Sequence, residues 1–351
     1  MTSTPETMTI RDLSGLIAVL PTMLGFHPER SLVVCFLNGP RIALTMRADL
    51  DGARVQDLVS TAIMAAQRAD ATELIAVGYI PNVSPVIHEV LRDLSIAIEN
   101  ETLDDEMPLT VRAIAAVGRD GWTELPMWSR EIPELRSLDE LTNHPVHVER
   151  VFQGMAPAKS RAEVVARVQA GSDAPADAFV AACRSQHEEM AQLAGHEMAA
   201  RLDELLTAYE GLPTGELPDP ASMGQMAALI THGEARDVAS LRVSTETSHR
   251  WVDLWSAIVR CTDGEGAAAP LALCALASWV RGDGTLANAA CDQADSICDG
   301  LGTARHPLAR IVRSVLVNAI DPHHWTQFAR EVKAAGLANL AAIEEPGQRA
   351  S

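Results

Sequence analysis

Two hydrophobic periods alternate through the first 125 residues. Apolar residues recur at helical spacing from Leu13 to Leu20, ahead of Pro21, which we expect to end that helix. Apolar runs then flank Asn38–Gly39, a dipeptide typical of a tight hairpin. Two amphipathic segments and three further strand-like runs follow, at 53–70, 73–80, 84–100, 109–118 and 122–128. The order ββαβαββ predicts a mixed sheet covered by helices, because a parallel pair of strands needs a helix to connect it.

The rest of the chain predicts helices joined by turns. One long helix is expected over 176–210. At 269–298, small residues at helical spacing flank the turn Gly282–Asp283–Gly284, which predicts a close antiparallel helical pair similar to a single tetratricopeptide repeat. The expected fold class is α+β or mixed α/β. Its three expected parts are a mixed α/β sheet domain at 1–125, an irregular connector with short helices at 126–175, and an all-helical, tetratricopeptide-like domain at 176–345.

The chain is strongly acidic, since 28 Lys and Arg against 47 Asp and Glu give a formal charge of -19. Clustered Lys and Arg bind a polyanion, so nucleic acid is disfavoured as a partner. No apolar stretch is long enough to cross a membrane, and the N-terminus lacks the basic start and apolar middle of a signal peptide, so we expect a cytoplasmic protein. The six cysteines are scattered without a CxxC pair and are expected to be reduced.

The stretch LGFHPERSLVV, residues 24–34, places polar residues directly before an apolar run. Gly25 can cap the preceding helix and the His-Pro step favours an extended chain, which explains most of the motif without chemistry. The functional interpretation makes His27 a general base or ligand and Arg30 an anion clamp at the mouth of the sheet. Its candidate residues are His27, Arg30, Ser31 and Asp49. Because the sequence places no second acid or nucleophile beside His27, both interpretations stay open.

A weaker candidate for metal binding is NHPVH, in which His144 and His147 are three residues apart. A helix would present both imidazoles to one metal, but Pro145 predicts extended geometry there. The phosphate-binding motifs GxxxxGK[ST] and GxGxxG and the nucleophile motif GxSxG do not occur in the sequence. We therefore expect no cofactor and assign no catalytic residue.

Three motifs resemble the actinobacterial domain-of-unknown-function family 4192. They are Leu-Gly-Phe-His-Pro at 24–28, Ser-Leu-Val-Val at 31–34 and Arg-x-Asp-Leu at 47–50, and the later GMAPAKSRAEVVARV and WVRGDGTLA are also similar. The resemblance implies an actinobacterial or actinophage cytosolic protein and brings no established activity. The resemblance also implies a cysteine- and proline-rich patch after the Trp-containing hairpin, but the segment following Trp122 here has no cysteine, so a metal or redox role of that patch does not transfer.

The leading hypothesis is a non-catalytic protein that binds a protein partner or another copy of itself through the helical domain. Its candidate contact residues are Trp279, Asp283 and Trp325. One alternative is a small-molecule-binding protein or hydrolytic enzyme with its site at the end of the sheet near His27. A second alternative is an acidic mimic of DNA that regulates a DNA-associated protein.

Overall fold

The ββαβαββ order and the mixed α/β class are confirmed by a five-stranded mixed sheet. The strands of the computed structural model are β1 (Ser31–Asn38), β2 (Arg41–Asp49), β3 (Glu73–Tyr79), β4 (Thr110–Gly118) and β5 (Gly121–Leu125). Their order across the sheet is β2-β1-β3-β4-β5. β3 and β4 are parallel, and the other neighbouring pairs are antiparallel.

The structure describes residues 9–52, 54–103, 108–153 and 155–344, with side chains up to residue 335. The first eight residues of the predicted sheet domain and residue 345, the predicted end of the helical domain, lie outside the described residues. The chain forms two compact units, Met1–Arg161 and Ala162–Ser351. The segment 126–161 after the last strand therefore belongs to the unit that contains the sheet.

Two helices cover one face of the sheet, α2 (Val55–Arg68) and α3 (Pro85–Thr102). Their apolar residues, including Leu58 and Leu91, share one core with alternate residues of β1 such as Val34. All of Ser31–Leu37 is buried, so β1 is covered on both faces. This explains why its sequence is a continuous apolar run, which is typical of a strand buried on both sides.

The expectation that Pro21 ends the first helix is wrong. Helix α1 runs over Leu13–Leu24 with Pro21 inside it and ends at Gly25, whose φ of 78° closes the helix in the left-handed conformation. Asp12 caps its start, because the carboxylate accepts a hydrogen bond of 2.7 Å from the Gly15 amide. A proline within a helix removes one backbone donor, and the burial of α1 offsets that loss.

Two short helices follow the sheet, α4 (Asp139–Thr142) and α5 (Pro145–Phe152). The expectation that Pro145 keeps this stretch extended is wrong. Pro145 occupies the first position of α5, where a helix needs no backbone donor, and His144 is the capping residue. The short helices predicted within the connector are thus present.

The second unit is helical throughout its described residues, which contain no strand. Its elements are α6 (Arg161–Ala166), α7 (Asp177–Met190), α8 (Gly195–Glu210), α9 (Pro220–Leu229), α10 (Gly233–Leu241), α11 (Ser248–Arg260), a 3-10 turn (Gly264–Ala267), α12 (Ala268–Val280), α13 (Gly284–Leu301), α14 (Pro307–Val317) and α15 (His323–Glu344). The predicted mostly helical C-terminal region is confirmed.

The single helix expected over 176–210 is wrong, since the chain breaks between α7 and α8. Glu197 stabilises the N-terminus of α8, because its carboxylate accepts a hydrogen bond of 2.7 Å from the Ala194 amide. The break has a packing reason: α7 packs against α9, whereas α8 packs against α10. One straight helix does not reach both partners.

The turn predicted at Gly282–Asp283–Gly284 is confirmed between α12 and α13, which pack against each other. Gly282 has a φ of 85°, and the Asp283 carboxylate accepts a hydrogen bond of 2.9 Å from the Leu286 amide and so caps α13. The likeness of this pair to a tetratricopeptide repeat stays a prediction. Over the part of the chain that is described, no helix combines the length and the apolar character needed to span a membrane.

Candidate ligand-binding site

A cavity of about 510 Å³ lies at the carboxyl ends of β3 and β4. β1 begins at the same edge because it runs antiparallel to β3, so the loop that precedes β1 also lines the cavity. Helices α1, α4 and α5 supply the remaining wall. The volume is that of a typical small-molecule site, and strand ends of this kind are where open α/β sheets commonly bind ligands.

The floor of the cavity is built from the residues that end β3 and β4. Tyr79 ends β3 and is buried, and Arg119 directly follows β4 with an exposed side chain. Two backbone hydrogen bonds of 3.0 Å, from Ile80 to Val117 and from Arg119 to Pro81, join the two strand ends. The position of Arg119 is therefore set by the sheet.

Gly118 lets the two strand ends approach closely. A Cβ atom at this position would lie 2.9 Å from the Val83 amide nitrogen and closer still to the Asp120 carboxylate. That carboxylate itself accepts a hydrogen bond of 3.2 Å from the Val83 amide. A larger residue at 118 would thus disturb the loop that follows β3 beside the cavity.

His27 and Arg30 lie on the loop before β1. The backbone at His27 is held on the segment after α5, since its amide donates to the Ala158 carbonyl at 3.0 Å and the Ala158 amide donates to Gly25 at 2.8 Å. Arg30 has a φ of 46°, a conformation that non-glycine residues adopt at a cost of about 1 kcal/mol or more. Such strained residues concentrate at functional sites.

His147, from α5, brings a second imidazole to the cavity. Its Nδ1 lies 3.1 Å from the Ala18 carbonyl oxygen. Because a carbonyl oxygen only accepts, Nδ1 is the donor of this hydrogen bond. The other ring nitrogen of His147, Nε2, is not buried and has no hydrogen-bond partner among the described residues. Burial lowers the pKa of His27, and the nearby His147 lowers it further.

The part of the cavity wall that α4 forms is positioned by a contact between β5 and the segment directly before α4. Trp122 of β5 is fully buried, and it exchanges two backbone hydrogen bonds, of 3.0 and 2.8 Å, with Arg136. The Arg136 guanidinium lies 4.7 Å from the centre of the Trp122 ring. Gly121 allows this approach, because a Cβ there would lie 2.6 Å from the Arg136 carbonyl oxygen. The chain then continues into the cavity residues Leu138, Leu141 and Thr142.

The four candidate residues of the opening motif have different surroundings. His27 and Arg30 line the cavity. Ser31 is buried, donates to the Glu29 carbonyl at 2.6 Å and accepts from the Arg47 guanidinium at 2.7 Å. Arg47 in turn pairs with the exposed Asp49 and lies 5.8 Å from the Phe26 ring. Ser31 and Asp49 therefore orient the Arg47 side chain on β2 and do not line the cavity.

The structure separates the two histidines of the metal candidate. His144 caps α5 through Nδ1, which accepts from the Val146 amide at 3.4 Å, while its Nε2 lies 3.8 Å from the Asp12 carboxylate. His147 instead lines the cavity with His27. Among the residues described, no group of three or more His, Cys, Asp or Glu side chains is arranged to hold a metal ion.

The three candidate contact residues of the helical unit differ in exposure. Trp279 is buried in α12, and Asp283 is occupied in capping α13. Trp325 is partly exposed on α15, and its ring centre lies 5.5 Å from that of Phe328. Only Trp325 of the three offers aromatic surface.

Sequence reasoning missed the cavity residues Tyr79, Arg119, Leu138, Leu141 and Thr142. The first two carried a usable signal, because they stand where predicted strands of an α/β sheet end. The other three carried none, since nothing in the sequence of the connector indicates that Arg136 pairs with Trp122.

A family model described as domain of unknown function (DUF4192) matches residues 14–323 of this chain. No curated protein matches the chain, and no solved structure matches it either.

Proposed function

The chain belongs to the DUF4192 family, and we propose that its N-terminal unit is a small-molecule-binding domain whose ligand occupies the cavity at the carboxyl ends of β3 and β4. The observation that carries this proposal is the convergence of two imidazoles, from His27 and His147, on one cavity of about 510 Å³. We propose no reaction for it.

The composition of the wall supports a ligand that is partly apolar. Ile17, Ile80, Leu138 and Leu141 contribute aliphatic side chains to the lining, which also contains the polar side chains of His27, Arg30, Arg119 and His147. Sites for small molecules combine a mostly apolar lining with a few polar groups that orient the ligand.

The rigidity of the frame supports binding to a preformed site. The loop with His27 is hydrogen-bonded to Ala158, and the segment leading to α4 is hydrogen-bonded to Trp122. A preformed cavity costs a ligand little ordering entropy, which favours affinity.

The test is a thermal-shift screen of the full chain against a library of small metabolites, with hits confirmed by calorimetry. Thr142 lines the cavity from its exposed end of α4, so Thr142→Trp is expected to fill the cavity and abolish binding. The control is Asn143→Trp at the neighbouring exposed position, which does not line the cavity. Hits that bind the Thr142→Trp protein as well as the wild type would contradict the proposal.

We propose self-association of the helical unit as a second function, because α15 exposes adjacent apolar side chains. Phe328 is 50% exposed, and Val332, one helical turn later, is 36% exposed. Exposed apolar patches often mark interfaces. Light scattering of the full chain is expected to give a dimer that the double variant Phe328→Ser, Val332→Ser converts to a monomer, whereas Val86→Ser on α3 leaves the dimer intact. A monomeric wild type would refute self-association.

A further inference from the structure

We propose that the ligand of the cavity carries an oxyanion, a phosphate or a carboxylate group, on an apolar body, and that Arg30 and Arg119 bind this oxyanion. The assignment rests on the proposed ligand-binding function and adds the chemical class of the ligand.

Arg119 is a cation without a partner. Its side chain has no hydrogen bond and no ion pair with any described residue, whereas Arg112 of β4 pairs with Glu73 at 3.3 Å. Its backbone amide is fixed by the 3.0 Å hydrogen bond to Pro81, so the residue is held at the cavity. A guanidinium placed in this way offers charge-assisted hydrogen bonds to an oxyanion.

Arg30 is oriented by one side of its guanidinium only. Its Nε lies 3.0 and 2.8 Å from the two carboxylate oxygens of Asp51, and neither Nη atom has a partner among the described residues. The two Nη groups are the pair that grips a phosphate or a carboxylate. The positive φ of Arg30 shows that the fold maintains this residue in a costly conformation at the cavity rim.

The cavity lining has more arginines than carboxylates, unlike the whole chain. The lining contains two arginines and one carboxylate, Glu29, whereas the chain has 28 basic and 47 acidic residues. Because the pKa of His27 is lowered, its imidazole is neutral near pH 7 and acts as a hydrogen-bonding group without added charge. Asp51, which is not part of the lining, pairs with Arg30 and offsets its charge, so Arg119 is the unpaired cation that attracts an anionic ligand to this place.

The apolar body of the ligand has a defined place. Ile17 of α1, Leu138 directly before α4 and Leu141 of α4 line the cavity together with Ile80 after β3. A volume of about 510 Å³ has room for one or two rings beside the anionic group. An inorganic anion alone would leave this apolar wall in contact with water.

The test measures binding of three simple probes to the full chain by calorimetry. Phenyl phosphate and phenylacetate carry the oxyanion, and benzyl alcohol is the neutral counterpart. At least one anionic probe is expected to bind more tightly than benzyl alcohol, and Arg119→Gln and Arg30→Asn are each expected to weaken it about tenfold through loss of charge-assisted hydrogen bonds. Asparagine suits the positive φ at position 30, so this variant keeps the loop conformation.

The control is Arg112→Gln, because Arg112 lies near the opposite end of β4 and pairs with Glu73 at 3.3 Å. Glu29→Gln has an effect of opposite sign: removal of the single carboxylate at the cavity is expected to tighten the anionic probe about twofold and to leave benzyl alcohol unchanged. Phosphate and carboxylate sources are distinguished by which anionic probe binds.

The oxyanion assignment is overturned if no anionic probe binds, if benzyl alcohol binds equally well, or if Arg112→Gln weakens binding as much as Arg119→Gln. In those cases a neutral metabolite whose binding is blocked by Thr142→Trp would still support the proposed function. If no ligand is found whose binding is blocked by Thr142→Trp, both the oxyanion assignment and the proposed ligand-binding function are refuted.

Discussion

At the scale of single residues, the two buried tyrosines differ in whether the hydroxyl group has a hydrogen-bond partner. The Tyr79 hydroxyl has no partner among the described residues, and burial raises the pKa of its phenol far above the ordinary value. The Tyr209 hydroxyl instead donates to the Arg250 carbonyl at 2.8 Å. A buried hydroxyl without a hydrogen-bond partner lowers the free energy of unfolding by about 1–3 kcal/mol, whereas a hydrogen-bonded hydroxyl avoids this loss.

Tyr79→Phe is expected to leave the free energy of unfolding unchanged or to raise it by up to about 1 kcal/mol, since it removes an unpaired buried group. Tyr209→Phe serves as the matched control and is expected to lower stability by about 1 kcal/mol, because the Arg250 carbonyl loses its donor. Urea unfolding of both variants measures the difference. A larger loss for Tyr79→Phe than for Tyr209→Phe would show that the Tyr79 hydroxyl has a partner in solution.

His306 gives the helical unit a dependence on pH. Burial, and then the neighbouring Arg236, lower the pKa of His306 from 6.5 to about 4, and its Nε2 accepts from Arg236 at 3.2 Å. Between these two pH values the unfolded chain binds a proton that the folded chain does not. Stability contributed by the neutral ring is therefore complete above pH 6.5 and is lost as the pH falls towards 4.

We expect this loss to be about 2 kcal/mol, less than the full pKa change implies because the ring is partly exposed. His306→Gln keeps an acceptor for Arg236 but does not titrate, so the stability of this variant falls less steeply across the window. Denaturant midpoints between pH 4 and 6.5 give the pH dependence of stability for the wild type and for His306→Gln. The exposed His196→Gln on α8 should behave as the wild type, and equal slopes for all three proteins would exclude His306 as the source.

At the scale of elements, the close crossing of α7 and α9 depends on Gly224. A Cβ at this position would lie 3.0 Å from the Phe179 carbonyl carbon and closer still to its oxygen. Because these Phe179 atoms are backbone of α7, the contact can be relieved only if α7 moves as a whole. Gly300 in α13 has open space around it, so the two helical glycines differ only in their surroundings.

Gly224→Ala is expected to destabilise the protein by about 2–3 kcal/mol, although alanine favours helix formation, because the added methyl group pushes α7 and α9 apart. Gly300→Ala is expected to stabilise it by up to about 1 kcal/mol through helix propensity alone. Thermal and denaturant unfolding give both values. Stabilisation by Gly224→Ala would mean that α7 and α9 cross less closely than described.

At the scale of the whole molecule, part of the negative charge is neutralised internally. Arg313 pairs with Asp292 at 2.7 Å and with Asp295 at 3.4 Å, and Arg305 pairs with Asp299 at 3.2 Å. These pairs place arginines along the acidic side of α13. A mimic of DNA needs unpaired carboxylates in a regular array, so these pairs give no support to that hypothesis.

The sheet unit is expected to require residues 126–161. A fragment of residues 1–161 should unfold cooperatively, whereas a fragment ending at residue 125, the predicted domain limit, should not, because it lacks the Arg136 and Ala158 contacts that cover Trp122 and pin the loop with His27. Circular dichroism melts of both fragments test this. A cooperative melt of the shorter fragment, with the same midpoint, would show that the segment is dispensable.

Elements dominated by local signals were predictable from the sequence. The hairpin at Asn38–Gly39, the turn before α13 and the order ββαβαββ follow from turn chemistry and hydrophobic period, which act over a few residues. The limits of α1, α5 and the α7–α8 pair were missed. In α1 and the α7–α8 pair, burial or packing of the helices outweighed the local preference of a proline or the continuity of a helical pattern, whereas Pro145 fits the first position of α5, which needs no backbone donor.

The sequence by itself determined the two-part character of this protein, a mixed sheet followed by helices, and it singled out His27 and Arg30 through an unusual polar stretch before a buried strand. Only the tertiary structure decided that His147 and Arg119 line the same cavity as those residues, and that Ser31 and Asp49 instead orient the Arg47 side chain on β2. The physical reason is distance along the chain. His27 and His147 meet because backbone hydrogen bonds from residue 158 and a carbonyl of α1 hold them, and no period or motif encodes such non-local contacts.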